Sequence, residues 1–391
     1  LSEAVSKYDV GILKQERKEL FDDLYNGRIP KRVPITIKVN NDFGMQYVGM
    51  DTIDVQWHPA KMEEAADAIC RDFFSDTNPF GSRRYPAFYQ FMGAKTFVMG
   101  SNGFLQHPES QGMYVEDYDD FIRNPYDCLI EKILPRLYTA LDTDSSNKAI
   151  VMAIGMTAQK DDYATAAAIK KKMNEKYGYF EPPANSAGNA VFAPYDFIAD
   201  NLRGFTGISM DIRRCPEKVI AACEVVTPML IKRGISKNPN LMGDCYVPLH
   251  MAPYMREKDF EKFYWPTFKK FVEGVMDSGQ GISFFCENDW SRYLDYLLEL
   301  PKGIRMRFEY GDPKLIKEKL GKKHIISGFY PLSLLKTGTR EQCIDKAKEL
   351  MDILAPGGRY YFDVDKVLAT YEGGKENYIA VLDFVHEYGR Y

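Results

Sequence analysis

GISFFC at 281–286, IRMRFE at 304–309, HIIS at 324–327 and GRYYFD at 358–363 are short apolar runs separated by segments of helical character. Those segments fall at 291–299, 313–320 and 339–353, and the last opens on Thr339-Arg340-Glu341-Gln342, a capping-box pattern. Regular strand–helix alternation predicts a parallel sheet, because parallel neighbours need a crossover between them. Toward the N-terminus, AIVMAI at 149–154 and LMGDCYVPL at 241–249 extend the strand set, with helices at 163–177, 216–233 and 257–277. VPITIKV at 33–39 and a weaker run near 206–210 bring the count to eight. Eight such strands predict an α/β fold of the (β/α)8 TIM-barrel class. The stretch from about 41 to 148 then reads as a helical and loop insertion after the first strand, with helices at 61–74 and 116–141, the latter with breaks or kinks at Pro125 and Pro135, inside a single domain spanning 1–391. Helices at 9–25 and 375–387 flank the set. An open doubly wound sheet is the competing architecture, and the lack of a GxGxxG after any strand counts against it.

The chain has 391 residues and a formal charge of −4, with 45% apolar, 27% charged and 14% aromatic residues. The apolar share supplies a sizeable core, and mild acidity argues against nucleic acid as a partner, since phosphate neutralisation needs clustered Lys and Arg. No run of apolar residues is long enough to span a membrane, so no membrane association is expected. Leu1-Ser2-Glu3-Ala4 shows no secretory pattern, and a chain opening on Leu rather than Met is expected to have lost residues at its start. Seven cysteines, at 70, 128, 215, 223, 245, 286 and 343, form no CxxC. That usage predicts a reduced, cytoplasmic enzyme.

In barrels of this kind chemistry sits at the C-terminal ends of the strands. The strand ends deliver Asn40, Asn41 and Asp42, then His250, then Cys286, Glu287, Asn288 and Asp289, then Tyr310 and Asp312, Phe329 and Tyr330, and finally Asp363 and Asp365. His250, Cys286 and Glu287 are donor types that Zn²⁺ accepts, and a catalytic zinc needs three protein ligands and one open position. The competing reading makes Cys286 a small buried apolar residue and His250 a hydrogen-bonded wall residue. His58 and His107 fall in loops, although the loop carrying His107 has to fold over something and can reach the mouth. His324 is expected at the opposite end, and His386 at the periphery. Arg83-Arg84 can pair with a carboxylate or phosphate. Lys170-Lys171-Lys172 reads as a solvated helix face, and Phe263-Tyr264-Trp265 as packing that Pro266 bends. No P-loop or nucleophile elbow is present.

Several segments resemble the uroporphyrinogen decarboxylase superfamily, and within it the corrinoid-dependent methyltransferase branch. They are Asp259-Phe260-Glu261-Lys262-Phe263-Tyr264-Trp265-Pro266, Phe285-Cys286-Glu287-Asn288-Asp289-Trp290, Ile326-Ser327-Gly328-Phe329-Tyr330-Pro331, Thr337-Gly338-Thr339 and Glu376-Asn377. The N-terminal Arg17-Lys18-Glu19-Leu20 and Ile29-Pro30-Lys31-Arg32-Val33-Pro34 resemble the superfamily's opening. Two departures narrow the branch. Tetrapyrrole decarboxylases carry substrate-gripping arginines just after the first strand, where this chain has Lys38-Val39-Asn40-Asn41-Asp42. Thiol methyltransferases of the superfamily use a His-x-Cys zinc motif, where this chain has Phe284 in the His position and no Cys near 363.

The resemblance therefore implies an O-demethylase component of anaerobic metabolism. It would take a methyl group from a methoxylated, aromatic compound and pass it to the Co(I) corrinoid of a separate protein. Its alternative is decarboxylation of a carboxylate substrate gripped by Arg83, Arg84 or Arg292. The chain lacks the Asp-x-His-x-x-Gly cobalamin signature, since His58 follows Asp54 by four residues, so the corrinoid is expected on a partner. The departing oxygen needs either a Lewis acid, Zn²⁺ on His250, Cys286 and Glu287, or a proton from Glu287, Asp289 or Tyr330. Asn41, Phe104, Trp290, Phe329 and Arg84 are the expected substrate contacts. Superfamily members often form homodimers.

Overall fold

The computed structural model describes residues 7–81 and 84–391. Arg83 and the Leu1–Ala4 stretch lie outside the described residues. Four parallel strands, Cys245–Leu249, Ile282–Asp289, Arg305–Tyr310 and Ile325–Gly328, pair in sequence order. Helices Trp265–Met276, Leu294–Glu299 and Pro313–Leu320 connect them, so this part of the alternation is as the sequence predicts. Single parallel bridges carry the order further. Tyr360 and Val364 bridge to Ile326 and Tyr330, Phe362 to Ile35, Leu368 and Phe80 to Val39, and Phe180 to Thr77. On the other flank Ala190 bridges to Tyr246.

Side-chain parity along these strands divides two environments. Val247, Leu249, Ile282, Phe284, Cys286, Met306 and Phe308 are at most 1% exposed and belong to one apolar core with the surrounding helices. Burying each large member contributes roughly 1.5–3 kcal/mol. Residues of the other parity, including Lys38, Ser283, Arg305, Arg307 and Asp363, face the inside of the curved sheet and line a common cavity. At the end where the strands begin, Phe21 and Leu24 of helix Lys7–Tyr25 pack with Phe180 and Ile325 as an apolar plug.

Three sequence expectations are corrected. AIVMAI at 149–154 lies inside the 33-residue helix Ser145–Tyr177, whose N-cap Asp144 accepts from the Ser146 and Asn147 amides. Residues 206–210 belong to helix Gly204–Arg214, and the backbone that does pair in that part of the chain is at Ala190. The segment 41–148 is not one insertion, because the chain returns to the sheet at Thr77 and Phe80 and leaves again before the long helix. The helical stretch expected at 116–141 breaks before Pro125, as expected, and then runs unbroken from Pro125 to Leu137 through a π-helical turn, Leu129–Ile133, just ahead of Pro135. Helix 257–277 carries a π-helical turn, Phe260–Tyr264, with Pro266 in the first turn of the segment that follows. No described helix is long and apolar enough to cross a membrane.

Candidate active site

The strand-end rule brings His250 and Glu287 together. The His250 Nε2 and a Glu287 carboxylate oxygen are 3.2 Å apart, with the side chains 32% and 45% exposed, so both face the open end of the sheet. A local irregularity aims Glu287. Pairing slips between Cys286 and Asp289, and Asn288 sits at φ 62, in the left-handed region. The Glu309 carboxylate fixes that kink by accepting the Asn288 amide at 2.8 Å, and Lys366 pairs with Glu309 from across the mouth. Bulges of this sort commonly re-aim a side chain beside a site.

His250 has a second carboxylate partner, absent from the sequence expectations. Asp200 Oδ2 lies 2.6 Å from Nδ1. Asp196, four residues earlier, is fully buried and accepts the His250 and Met251 amides and the Tyr264 hydroxyl. Both aspartates come from the Pro194–Arg203 segment, whose second half is a π-helical turn. Burial alone would pull the imidazole down. The Asp200 hydrogen bond and the charges of Asp196, Asp200 and Glu287 outweigh it and lift His250 to about 9. Nδ1 hydrogen-bonds to Asp200, while Nε2 stands at ion-pair distance from Glu287. Burial, reinforced by the Asp200 charge and opposed by His250, raises Asp196 to about 7. Burial also raises Glu287 against the pull of His250.

The segment between residues 84 and 107, with helix Pro86–Phe91 and a two-stranded hairpin, brings His107 within the field of Asp200 and His250. The Arg84 guanidinium lies 4.1 Å from the Phe97 ring centroid, and Phe97 stacks on His107 at 4.4 Å and 11°. Burial and the Arg84 charge lower His107, whose field also includes Asp200 and His250. Asn41, Asp42, Gln56, Arg84, Phe97 and Leu105 line a small pocket beside the stack. Phe192 closes the other side, edge-on to His250 at 5.9 Å.

Other expected site residues stand elsewhere. Cys286 follows the outward parity, is fully buried, and its thiol is raised by burial. It therefore faces away from His250 and Glu287. Among the described residues no group of three His, Cys, Asp or Glu side chains is placed to hold a metal ion. The His250–Cys286–Glu287 zinc set does not form, and no step is assigned to zinc. Tyr330 is buried and donates to the Cys343 carbonyl at 2.9 Å. Trp290 is buried against Phe260, Tyr264 and Tyr293, and Phe329 stacks on Phe308. Asp289 is exposed and accepts the Ser291 amide. Phe104 is half-buried on the hairpin joining Val98–Met99 to Leu105–Gln106. The missed signal was Ala190-Val191-Phe192-Ala193 before Pro194, an apolar run ending on a helix-starting proline, with aspartates at i and i+4 behind it.

Comparison with protein-family models and with curated proteins finds no match. Among solved structures, a methyltransferase from Methanosarcina mazei superposes with a TM-score of 0.59 at 14% identity, over 95% of this chain and 98% of that chain. At that identity the likeness is one of fold, mixed helix and parallel sheet along nearly the whole length of both chains.

Proposed function

We propose that the chain is a methyltransferase that removes a methyl group from a methoxylated aromatic compound and delivers it to the Co(I) corrinoid of a separate corrinoid protein. The sheet with its bridges is read as a (β/α)8 barrel, and His250, Glu287 and Asp200 as the reaction centre at its mouth. The observation that carries the reading is the His250 imidazole held between two carboxylates, 2.6 and 3.2 Å away, at an open strand-end mouth. The fold shared with a methyltransferase supports the same reaction class.

The corrinoid, when docked, supplies the electron pair that accepts the methyl carbon. This chain's task is the other half of the exchange. As the carbon–oxygen bond breaks, its electron pair stays on oxygen, and the phenoxide is a poor leaving group unless it gains a proton or a compensating charge. The His250–Glu287 pair holds a proton at the mouth, and Asp200 fixes the imidazolium's orientation through Nδ1. Phe192, edge-on to His250, offers an apolar wall for a ring. The decarboxylase alternative needs an arginine aimed at the mouth. Arg84 lies 4.1 Å from the Phe97 ring centroid, Arg292 donates to the Pro253 carbonyl at 2.6 Å, and Arg83 is outside the described residues.

The test mixes the chain with methoxylated phenols and a reduced corrinoid protein, and follows cobalt methylation by absorbance. Methylation is expected to require the chain, and Glu287→Gln to slow it about 100-fold or more, the usual worth of a general acid. Wild-type rates in Glu287→Gln and His250→Asn together would overturn the assignment.

A further inference from the structure

The inside of the curved sheet holds a second site. Beneath the mouth, toward the strand starts, lies a cavity of about 520 Å³. Its rim is the exposed 181–187 loop, between Phe180, which bridges to Thr77, and Ala190, which bridges to Tyr246. Barrel interiors are ordinarily filled by bulky branched side chains. Here Lys38, Arg305, Arg307, Tyr246 and Tyr361 take inward positions and leave the space open.

The charges in this lining do not balance. Arg305 is matched by Asp244 at 3.2 Å and the Gly243 carbonyl at 2.5 Å. Arg307 shares Asp363 at 3.6 Å and lies over the Phe285 ring. Lys38 and Lys170 are different. Lys38 Nζ donates to the Asn78 carbonyl at 3.4 Å, and among the described residues neither lysine has a carboxylate within ion-pair distance. Lys170 is exposed, as the solvated-face expectation has it, and stands at the edge of the cavity, while Lys171 and Lys172 pair with Glu175 and Glu63 on the surface. Lys38 is exposed to the cavity yet enclosed by protein, and that enclosure, with the Lys170 charge, brings it down to about 8. Counting Lys38, Lys170, Arg305 and Arg307 against Glu181, Asp244 and Asp363, the lining carries one surplus positive charge.

We propose that this interior cavity binds a small aromatic carboxylate, separately from the mouth. Its carboxylate would sit among Lys38, Lys170 and Arg307, and its ring against Tyr246 and Tyr361. One surplus positive charge suits a monoanion; a phosphate dianion would overshoot it and face the three lining carboxylates.

The test titrates the full chain with benzoate, with benzamide and inorganic phosphate as parallel probes, by calorimetry. Benzoate is expected to saturate one site, with benzamide weaker by about tenfold or more because it lacks the charge. Lys38→Met is expected to cost about tenfold in benzoate affinity, and Glu287→Gln nothing. Lys170→Met, on an exposed helix position, repeats the test in case Lys38→Met fails to fold. No saturation by about 10 mM benzoate would overturn the proposal. So would equal binding of benzamide, tighter binding of phosphate, or unchanged affinity in the lysine variant that folds. Loss of binding in Glu287→Gln would place benzoate at the mouth and also overturn it. None of these results touches the methyl-transfer reading, which rests on cobalt methylation.

Discussion

Cys286 and Glu287 are adjacent in sequence and opposite in environment, and one strand explains both. From Ile282 the parity runs outward through Phe284 to Cys286 and inward through Ser283 and Phe285 to Glu287. The sequence ISFFCE is apolar at both parities before the glutamate, so the inward set could not be read from it, whereas the strand-end position of His250 and Glu287 could. Cys286→Ala is accordingly expected to leave cobalt methylation within about twofold of wild type while lowering unfolding free energy by about 1–2 kcal/mol in a denaturant titration, the cost of a small core truncation. His250 gives a pH test. Its folded value, about 9, lies above the ordinary imidazole value, so its charged form stabilises the fold fully at slightly acid pH. That stabilisation is lost as pH rises through about 9. Asp196, raised to about 7, adds a slope of the same sign at lower pH, because the folded state again holds the extra proton. Unfolding free energies from denaturant titrations on either side of this window should fall more in wild type than in His250→Asn, by on the order of 2 kcal/mol after solvent screening. A parallel fall in both proteins would show that the imidazolium is not held as described.

Elements were legible where local chemistry and tertiary placement agree. The capping box at Thr339 is present, with its hydroxyl accepting from the Gln342 amide at 3.2 Å and the Gln342 side chain accepting from the Thr339 amide at 2.9 Å. Thr339→Ala is expected to cost about 1 kcal/mol in thermal or denaturant unfolding, with Thr339→Ser close to wild type. Where the two diverge, the reading failed. AIVMAI has the apolar run of a buried strand, yet Asp144 starts a helix just before it and no Gly or Pro stops that helix until Gly178. The result is a helix that leaves Ile150 and Ile154 more than half exposed, so its apolar residues were never evidence of a sheet position. The third strand position went unseen for the converse reason. It is reduced to single bridges at Phe180 and Ala190, too short to show a two-residue period. The helix behind it carries Asp196 and Asp200, so half of the carboxylate cage around His250 was hidden along with it.

At the scale of the whole molecule, sheet order rests on a buried charge cluster at the end opposite the mouth. Arg32 grips both oxygens of Asp76 at 2.7 Å, Arg17 adds a contact at 3.4 Å, and the same carboxylate accepts the Ile35 amide at 2.8 Å. This ties the 33–39 segment to the return of the chain at Thr77, the step at which the expected insertion instead rejoins the sheet. Burial alone would raise Asp76, but Arg32 and Arg17 hold it below the ordinary carboxylate range. Its contribution is therefore complete above that range and lost as pH falls below it. A buried pair of this kind is worth little as a sum, because desolvation offsets attraction, but breaking it leaves charge stranded. Asp76→Asn keeps an acceptor for Ile35 and strips the charge from between two buried arginines. The expected cost is about 3–5 kcal/mol in denaturant unfolding. A double variant, Asp76→Asn with Arg32→Met, should recover part of it, since only one uncompensated arginine remains. Methylation per folded molecule should stay at the wild-type rate in both, because the cluster lies at the far end of the strands from His250 and Glu287. A single-variant loss under about 1 kcal/mol would mean that water already reaches Asp76 and that the 33–39 segment is joined to the chain at Thr77 by backbone bridges and apolar packing alone.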